Sequence, residues 1–286
     1  MAPTFTPVVV DNASKDGFPE KALWHTQVIV NAQNQGFAAA VNQGVRASSA
    51  DILLLLNPDV RLLTGLDHLI DATRQYGLAG GKLVDASGKA QTGFTVRRFP
   101  TPSALALELF GLNRLWPGNP VNRRYRYLDR DLGQTGPVDQ PAGAFLMFRR
   151  DVWEKLGGLD ESFHPVWFED VDFCRRAVDA GYRIQYVPSV IAEHSGGHSV
   201  SQLEEADRYV FWCGSLIRYA AKHFRPLAYR GICLAVVLSS IPRVVSRMIL
   251  SGKVTPTVNS CCTMIRSAGR LLVSAQGVSP EPGDHT

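Results

Sequence analysis

Four clusters of polar residues in this chain have the types and spacing to do chemistry. Asn57-Pro58-Asp59 sets two oxygen-bearing side chains two positions apart, directly behind the apolar run Ile52–Leu56. Hard oxygen donors there suit a divalent cation carrying phosphates, although Asn-Pro-Asp is also ordinary turn chemistry. Glu169, Asp170 and Asp172 fall within four positions at the expected start of a helix, where the helix dipole favours acids and Asp170 can serve as a cap. Their aromatic neighbours Trp167 and Phe168 would partly desolvate these carboxylates and raise their pKa toward useful base strength. His194 and His198 flank Gly196-Gly197. A lone histidine is more often structural, but two around a glycine pair suit a metal or a phosphate. Val10-Asp11-Asn12-Ala13-Ser14 places a carboxylate behind a short apolar run. It can accept from a sugar or a base N–H, or close an Asx-turn.

These residues need elements to position them. The five unbroken apolar residues of Ile52–Leu56 predict a strand buried on both faces in the middle of a parallel sheet. Proline ends that run because it has no N–H to donate, and open α/β sheets bind ligands at the carboxyl ends of central strands. Short strands are also expected at Val8-Val9-Val10, Gln27–Val30, residues 78–83, residues 144–148 and residues 183–187, the last ended by Pro188. Helices are expected over residues 36–48, 66–76, 170–180, and from Asp151 to the Gly157-Gly158 stop. Strands alternating with helices indicate an α/β fold with a mostly parallel sheet. Residues 93–138 carry five prolines and the basic, aromatic run Asn122-Arg123-Arg124-Tyr125-Arg126-Tyr127, which reads as a long, partly irregular insertion of the kind that binds ligands. Its arginines can grip a diphosphate or form a solvated basic loop.

Charge is unevenly shared. Residues 208–280 hold ten Lys or Arg and no acid, leaving 20 basic against all 26 acidic residues elsewhere. An acidic body with a basic, apolar C-terminal arm points to an anionic surface. The arm interleaves Arg with aliphatic rather than stacking residues, which favours a membrane face over nucleic acid. Helices are expected over residues 201–224 and 227–250. The second is read either as packed on the domain or as lying in the membrane plane, since its cleanest apolar run, residues 232–238, is far short of the roughly 20 residues a span requires. Five cysteines with no C-x-x-C pair suit a reducing compartment. Cys261-Cys262 are read as ordinary helix residues, with metal binding or lipidation as the alternatives. Met1 to Pro7 has neither the basic region nor the apolar core of a secretory signal. No Gly-x-Gly-x-x-Gly follows a strand, which argues against a dinucleotide oxidoreductase.

Order and spacing together resemble family 2 glycosyltransferases, most closely the rhamnosyltransferase branch acting on lipid-linked glycans. The resemblance is carried by Val10-Asp11-Asn12-Ala13-Ser14, Asn34-Gln35-Gly36, Asn42-Gln43-Gly44, Leu56-Asn57-Pro58-Asp59, Gly143-Ala144, Gly157-Gly158-Leu159-Asp160-Glu161 and Phe168-Glu169-Asp170-Val171-Asp172. It implies a nucleotide-diphospho-sugar transferase (GT-A) fold with a mixed, mostly parallel sheet, helices on both faces and a C-terminal helical extension. The corresponding domains are residues 1–200, a basic helical extension at 201–275 and a disordered tail at 276–286. It further implies Mg2+ or Mn2+ held by Asp59 and His194, and donor contacts from Asp11, Asn12, Ser14, Asn34, Gly36, Asn57 and Asp59. Asp170 becomes the catalytic base with Glu169 beside it, and Gly143, Ala144 and Trp167 the acceptor contacts. The implied donor is a nucleotide-diphospho-sugar, dTDP-L-rhamnose, and the acceptor a polyprenyl-diphosphate glycan. The implied place is the cytoplasmic side of the plasma membrane, with no nucleic-acid partner. The family also opens with a strand and helix ahead of the strand matching Val8-Val9-Val10, and seven residues cannot supply them. A misplaced start codon, an inactive remnant or another segment filling the gap would each account for this. Val8-Val9-Val10 is then expected to lack a parallel neighbour, and an inactive binding protein of the same fold is the alternative function.

Overall fold

The computed structural model describes residues 5–14, 26–196 and 204–250. Two compact units are present: Met1–Phe99 with Arg126–Gly196, and Pro100–Tyr125 with Gly197–Thr286.

In the first unit the strands are β1 (Val8–Asp11), β2 (Gln27–Val30), β3 (Ile52–Leu56), β4 (Val60–Leu62), β5 (Gly77–Val84), β6 (Val96–Arg97), β7 (Gly136–Pro137), β8 (Gln140–Pro141), β9 (Phe145–Arg149) and β10 (Arg183–His194). Its helices are α1 (Phe37–Ala47), α2 (Asp67–Tyr76), α6 (Arg150–Leu156) and α7 (Glu169–Asp179). The main sheet runs β3-β9-β5-β10-β4, with β7 also on β10. Side chains alternate across a strand, and β9 shows the consequence. Leu146 and Phe148 enter one core with Leu78, Ile184 and Tyr186 from the sheet and Val45, Val152 and Phe173 from α1, α6 and α7. Phe145 and Met147 enter a second core with Ala79, Val187, Leu69 and Ala72. Helices therefore cover both faces, as expected.

Three expectations change. Ile52–Leu56 does form a strand, but it stands at the end of the sheet order, antiparallel to β9, and Leu56 is 38% exposed. The strands buried on both faces are β5 and β9. The sheet is mixed, yet among described pairs only β5 with β10 and β1 with β2 run parallel. The reason is that β9, after residues 93–138, re-enters between β3 and β5 in the opposite direction. Secondly, Val8-Val9-Val10 does have a parallel neighbour, because β2 pairs along its whole length. Among the described residues these two strands form their own sheet, not hydrogen-bonded to the six strands of the main sheet. Thirdly, the strand at Arg183 continues through Pro188 to His194. Its pairing with β5 skips from Val187 to Ile191, so the proline sits in a bulge where no ladder N–H is needed.

The second unit holds α3 (Pro102–Leu109), α4 (Leu112–Leu115), α5 (Pro120–Tyr125), α8 (Glu205–His223) and α9 (Pro226–Leu250). The insertion is thus more helical than its prolines suggested. Pro102 lies in the first turn of α3, where its missing N–H costs nothing, and the Thr101 hydroxyl caps Ala104. α9 runs unbroken through Pro242 and packs on α3 and α8. Its buried face carries Ile232, Cys233, Val236, Ser239 and Ser240. Among the described residues no helix is long and apolar enough to cross a membrane. His198, Cys261-Cys262 and the tail lie outside the described residues.

Candidate active site

The site is built around the start of α7. Phe168 precedes the helix with φ 71°, and Trp167 before it has φ 80°. Two successive non-glycine residues in the left-handed region are locally strained, which persists only where surrounding structure imposes it. The turn they make delivers three acids to three environments. The Asp172 side chain is fully buried and pairs with Arg176 at 2.7 Å, and Arg176 also bonds the Leu156 and Gly158 carbonyls. Asp172 is therefore a structural anchor. Glu169 is buried, and its Oε2 has no hydrogen-bond partner among the described residues. Burial, then the neighbouring Asp170 charge, pushes its pKa well above that of an ordinary glutamate.

Asp170 is half-buried and differently held. Gly143 N–H donates to its Oδ2 at 2.8 Å, the Gln140 amide donates to the same oxygen at 3.1 Å, and Val171 N–H donates to Oδ1 at 2.8 Å. Each carboxylate oxygen has two lone-pair sites. Oδ2 is filled by these bonds and Oδ1 keeps one site, so Oδ1 is the atom able to take a proton. Burial raises the Asp170 pKa, while the Gly143 and Val171 N–H groups and the Arg97 charge pull it partly back. Gly143 must be glycine, since a β-carbon there would lie 2.9 Å from the Asp170 Cβ.

The next residue reaches the other half of the site. Ala144 C=O accepts from Asn57 N–H at 3.1 Å, and Asn57 C=O accepts from Val60 N–H at 3.1 Å, closing the Asn57-Pro58-Asp59 turn. β4 then pairs with β10 so that Val60 faces His194, and Ser195 N–H donates to the Asp59 carbonyl at 3.1 Å. This register brings Asp59 Oδ2 to 3.6 Å from His194 Nε2, too long for a hydrogen bond. Donors each roughly 2.1 Å from one Mg2+-sized cation stand no more than about 4.2 Å apart, so the pair fits two ligands of one ion. No group of three His, Cys, Asp or Glu suited to a metal occurs among the described residues. The remaining ligands of a cation held here would be oxygens of a bound diphosphate or water. Gln91 bonds the His194 ring and backbone, and Phe94 stacks on the imidazole with centroids 5.0 Å apart.

The loop behind β1 is held by amides. Asn12 Nδ2 donates to Asn34 Oδ1 at 2.9 Å and to the Gly36 carbonyl at 3.1 Å; its Oδ1 accepts from Asn31 Nδ2 at 3.1 Å and Gln35 N–H at 2.9 Å. All four positions of that amide are used. In this structure the Asn12 amide latches the loop. Asn34 Oδ1 also accepts from Gly36 N–H at 2.9 Å, and Asp11, buried, accepts from the N–H of Ser14, three residues on, at 3.0 Å. Gly36 sits at φ 87° with His164 Cδ2 only 2.8 Å from where a β-carbon would stand. Asn42 is likewise saturated, by Leu159, Glu161 and Trp153, so two motif segments form one internal tie.

Sequence reading missed Gln91, Phe94, Arg97 and Gln140. Gln91 meets His194 across 103 positions, and no local pattern announces such a partner. Gln140 and Arg97 belong to β8 and β6, which pair with each other. Of the basic run, Arg123 and Arg124 lie in the last turn of α5, while Arg126 packs on Gly93.

Residues 2–157 match the model of Glycosyl transferase family 2, and residues 127–267 that of Glycosyl transferase family group 2. The chain is 30% identical over 213 residues, 68% of either protein, to an N-acetylglucosaminyl-diphospho-decaprenol L-rhamnosyltransferase of Mycobacterium tuberculosis. It is 28% identical to a rhamnosyltransferase of Escherichia coli, covering 58% of this chain and 60% of that one. A low-salt glycan biosynthesis hexosyltransferase of Haloferax volcanii is also 28% identical, over 66% of this chain and 58% of its own.

A β-carbon at residue 143 would stand 2.9 Å from the Asp170 Cβ, so the Asp170 side chain must shift against its Oδ2 donors. A misplacement of about 1 Å at a reacting group costs on the order of 10²-fold in rate. Gly143→Ala is expected to lower turnover by about that factor with an unchanged circular dichroism spectrum, measured as nucleotide release. The chain belongs to glycosyl transferase family 2, and it is a hexosyltransferase.

Proposed function

We propose that this protein transfers L-rhamnose from dTDP-rhamnose to a polyprenyl-diphosphate-linked glycan, with inversion at the anomeric carbon, in the synthesis of a cell-wall or surface polysaccharide. One observation carries the reading. The adjacent residues Gly143 and Ala144 hold a carboxylate base on one side and the Asp59 turn on the other. The names of the Mycobacterium and Escherichia relatives support the sugar, and that of the former supports the lipid-linked acceptor.

In this mechanism Asp170 Oδ1 takes the proton of an acceptor hydroxyl. As that O–H bond breaks, the oxygen attacks the anomeric carbon from the face opposite the nucleotide. The bond from that carbon to the diphosphate oxygen breaks, and its electron pair leaves with the nucleoside diphosphate. Base catalysis supplies roughly 10²–10⁴ in rate, so positioning and charge stabilisation carry the rest. Mg2+ or Mn2+ held by Asp59 and His194 supplies, when bound, neutralisation of the diphosphate charge. Asp11 reads the nucleobase, Asn57 and the Asn34–Gly36 turn border the donor, and the Trp167 ring offers the acceptor a face to stack on.

The C-terminal helical unit is the membrane-facing part in this reading, on the inner leaflet. Leu227, Leu234, Leu238 and Ile241 of α9 are exposed and fall on one helical stripe by their spacing of 7, 4 and 3 positions. Arg225 and Arg230, both exposed, flank it. Leu115 at the end of α4 and Trp116 after it are exposed by 79% and 64%. Such sets lie in the interface of an anionic bilayer.

One observation favours a second reading, a chain of this fold that no longer holds the donor: β1 and β2, which carry Asp11, stand apart from the main sheet.

Asp170→Asn is expected to abolish turnover and keep donor binding; turnover near wild type removes the base assignment. Calorimetry of folded wild type with dTDP-rhamnose and Mg2+ separates the two readings, since binding is expected and its absence supports the second. Leu234→Asp with Leu238→Asp is expected to release the protein from vesicles containing anionic lipid in a flotation assay, and unchanged flotation contradicts the membrane face.

A further inference from the structure

We infer that Gln91 is a positioning residue that sets the tautomer of His194, leaving Nε2 as a lone-pair donor aimed at the Asp59 carboxylate. The inference rests on the metal-site reading of Asp59 and His194, and it follows from a chain of donor and acceptor roles.

Gln91 Nε2 donates to the His194 backbone carbonyl at 2.7 Å. A carbonyl oxygen can only accept, so this bond fixes which end of the Gln91 amide faces which way, a choice that coordinates alone leave open. Oε1 must then be the atom 2.9 Å from His194 Nδ1. Oε1 also can only accept, so Nδ1 must carry the hydrogen. A neutral imidazole has one N–H, so Nε2 is left bare. Nε2 is the atom 3.6 Å from Asp59 Oδ2.

The surroundings make this assignment necessary. Next to a carboxylate, a ring free to choose would place its hydrogen on Nε2 and bond Asp59 directly. That arrangement blocks both groups as ligands. The Gln91 bond opposes it, and a ring N–H held by an outer partner is the usual way a ligand histidine is oriented. Gln91 is itself fixed: its N–H donates to the Leu83 carbonyl at 3.0 Å, and its carbonyl accepts from Phe94 and Thr95 N–H at 3.1 and 3.0 Å. Leu83 pairs with Ala192 across β5 and β10, which carries this turn to the end of β10. Phe94 stacks parallel to the imidazole, interplanar angle 7°, and sets the ring plane. A half-turn of the ring would replace Nδ1 by a carbon opposite Oε1 and lose the bond.

The test begins with the metal-free protein. Long-range 15N–1H NMR of wild type, at a pH where His194 is neutral, is expected to show a single tautomer with hydrogen on Nδ1. A ring with hydrogen on Nε2, or a mixture of both, overturns the inference without any variant. Gln91→Ala is expected to shift His194 toward the Nε2–H form and to weaken Mn2+ binding in the presence of dTDP by roughly 10–100-fold, read by electron paramagnetic resonance. Gln91→Glu keeps an acceptor at Nδ1 and is expected to retain the Nδ1–H form. If Gln91→Ala and Gln91→Glu have the same effect on the tautomer, Gln91 acts only by filling space and the inference fails. His194→Ala separates the underlying reading. Unchanged Mn2+ affinity in that variant removes the metal site, while the metal-free spectrum still decides the role of Gln91.

Discussion

The site depends on one short constraint, the pair of backbone bonds made in opposite directions by Gly143 and Ala144. The Gly143 N–H fixes the Asp170 carboxylate, and the Ala144 carbonyl fixes the turn that carries Asp59. Consecutive α-carbons are about 3.8 Å apart, so the two halves cannot drift independently. Everything else keeps those residues still. β9 follows at once, buried on both faces between β3 and β5, with its side chains locked into two cores. A strand packed on both sides is among the least mobile parts of a domain, and the dipeptide that organises the chemistry is its leading edge.

The energetics of the acid cluster follow from this placement. Asp172 is paired with Arg176, and burial pushes the Glu169 carboxyl well above the range of an ordinary glutamate, which leaves Asp170 as the acid of the cluster held by the Gly143 backbone. The backbone donors on Asp170 make it a weaker base than burial alone would. Charge at this helix start is also favoured by the helix dipole. The strained pair Trp167-Phe168 is the local cost of turning the chain so that the first residues of α7 meet Gly143.

Much of this was legible in the chain because the informative residues are short-range punctuation. Gly157, at φ 72°, ends α6 where the glycine pair predicted, and the apolar runs at Ile52–Leu56 and residues 144–148 fall on the strands β3 and β9. Strand direction was not legible. Whether Ile52–Leu56 is central or terminal, parallel or antiparallel, depends on where β9 inserts after a long excursion, and an unbroken apolar run is compatible with either. Pro188 ended the predicted strand because proline cannot join a ladder, but a bulge supplies a place where no ladder bond is needed. The acids of the site were visible as types and spacing. Their different roles were not, since Asp172, Glu169 and Asp170 are distinguished only by Arg176, by a buried orphan oxygen and by Gly143. Asn12 shows the same limit. It lies in a motif that resembles the family's donor loop, yet its amide is consumed by Asn31, Asn34, Gln35 and Gly36.

The central claim is that Asp170, raised by burial and held by Gly143, is the base. The pH dependence of kcat/KM in wild type tests it most directly, because the acid limb reports the base in the free enzyme. With a raised pKa the base is protonated, and activity lost, as pH falls through a value above the ordinary 3.8 of an aspartate. The account predicts an acid limb above that value which disappears in Asp170→Asn along with the activity it governs. A limb at or below 3.8, or a profile flat down to the pH of unfolding, contradicts it.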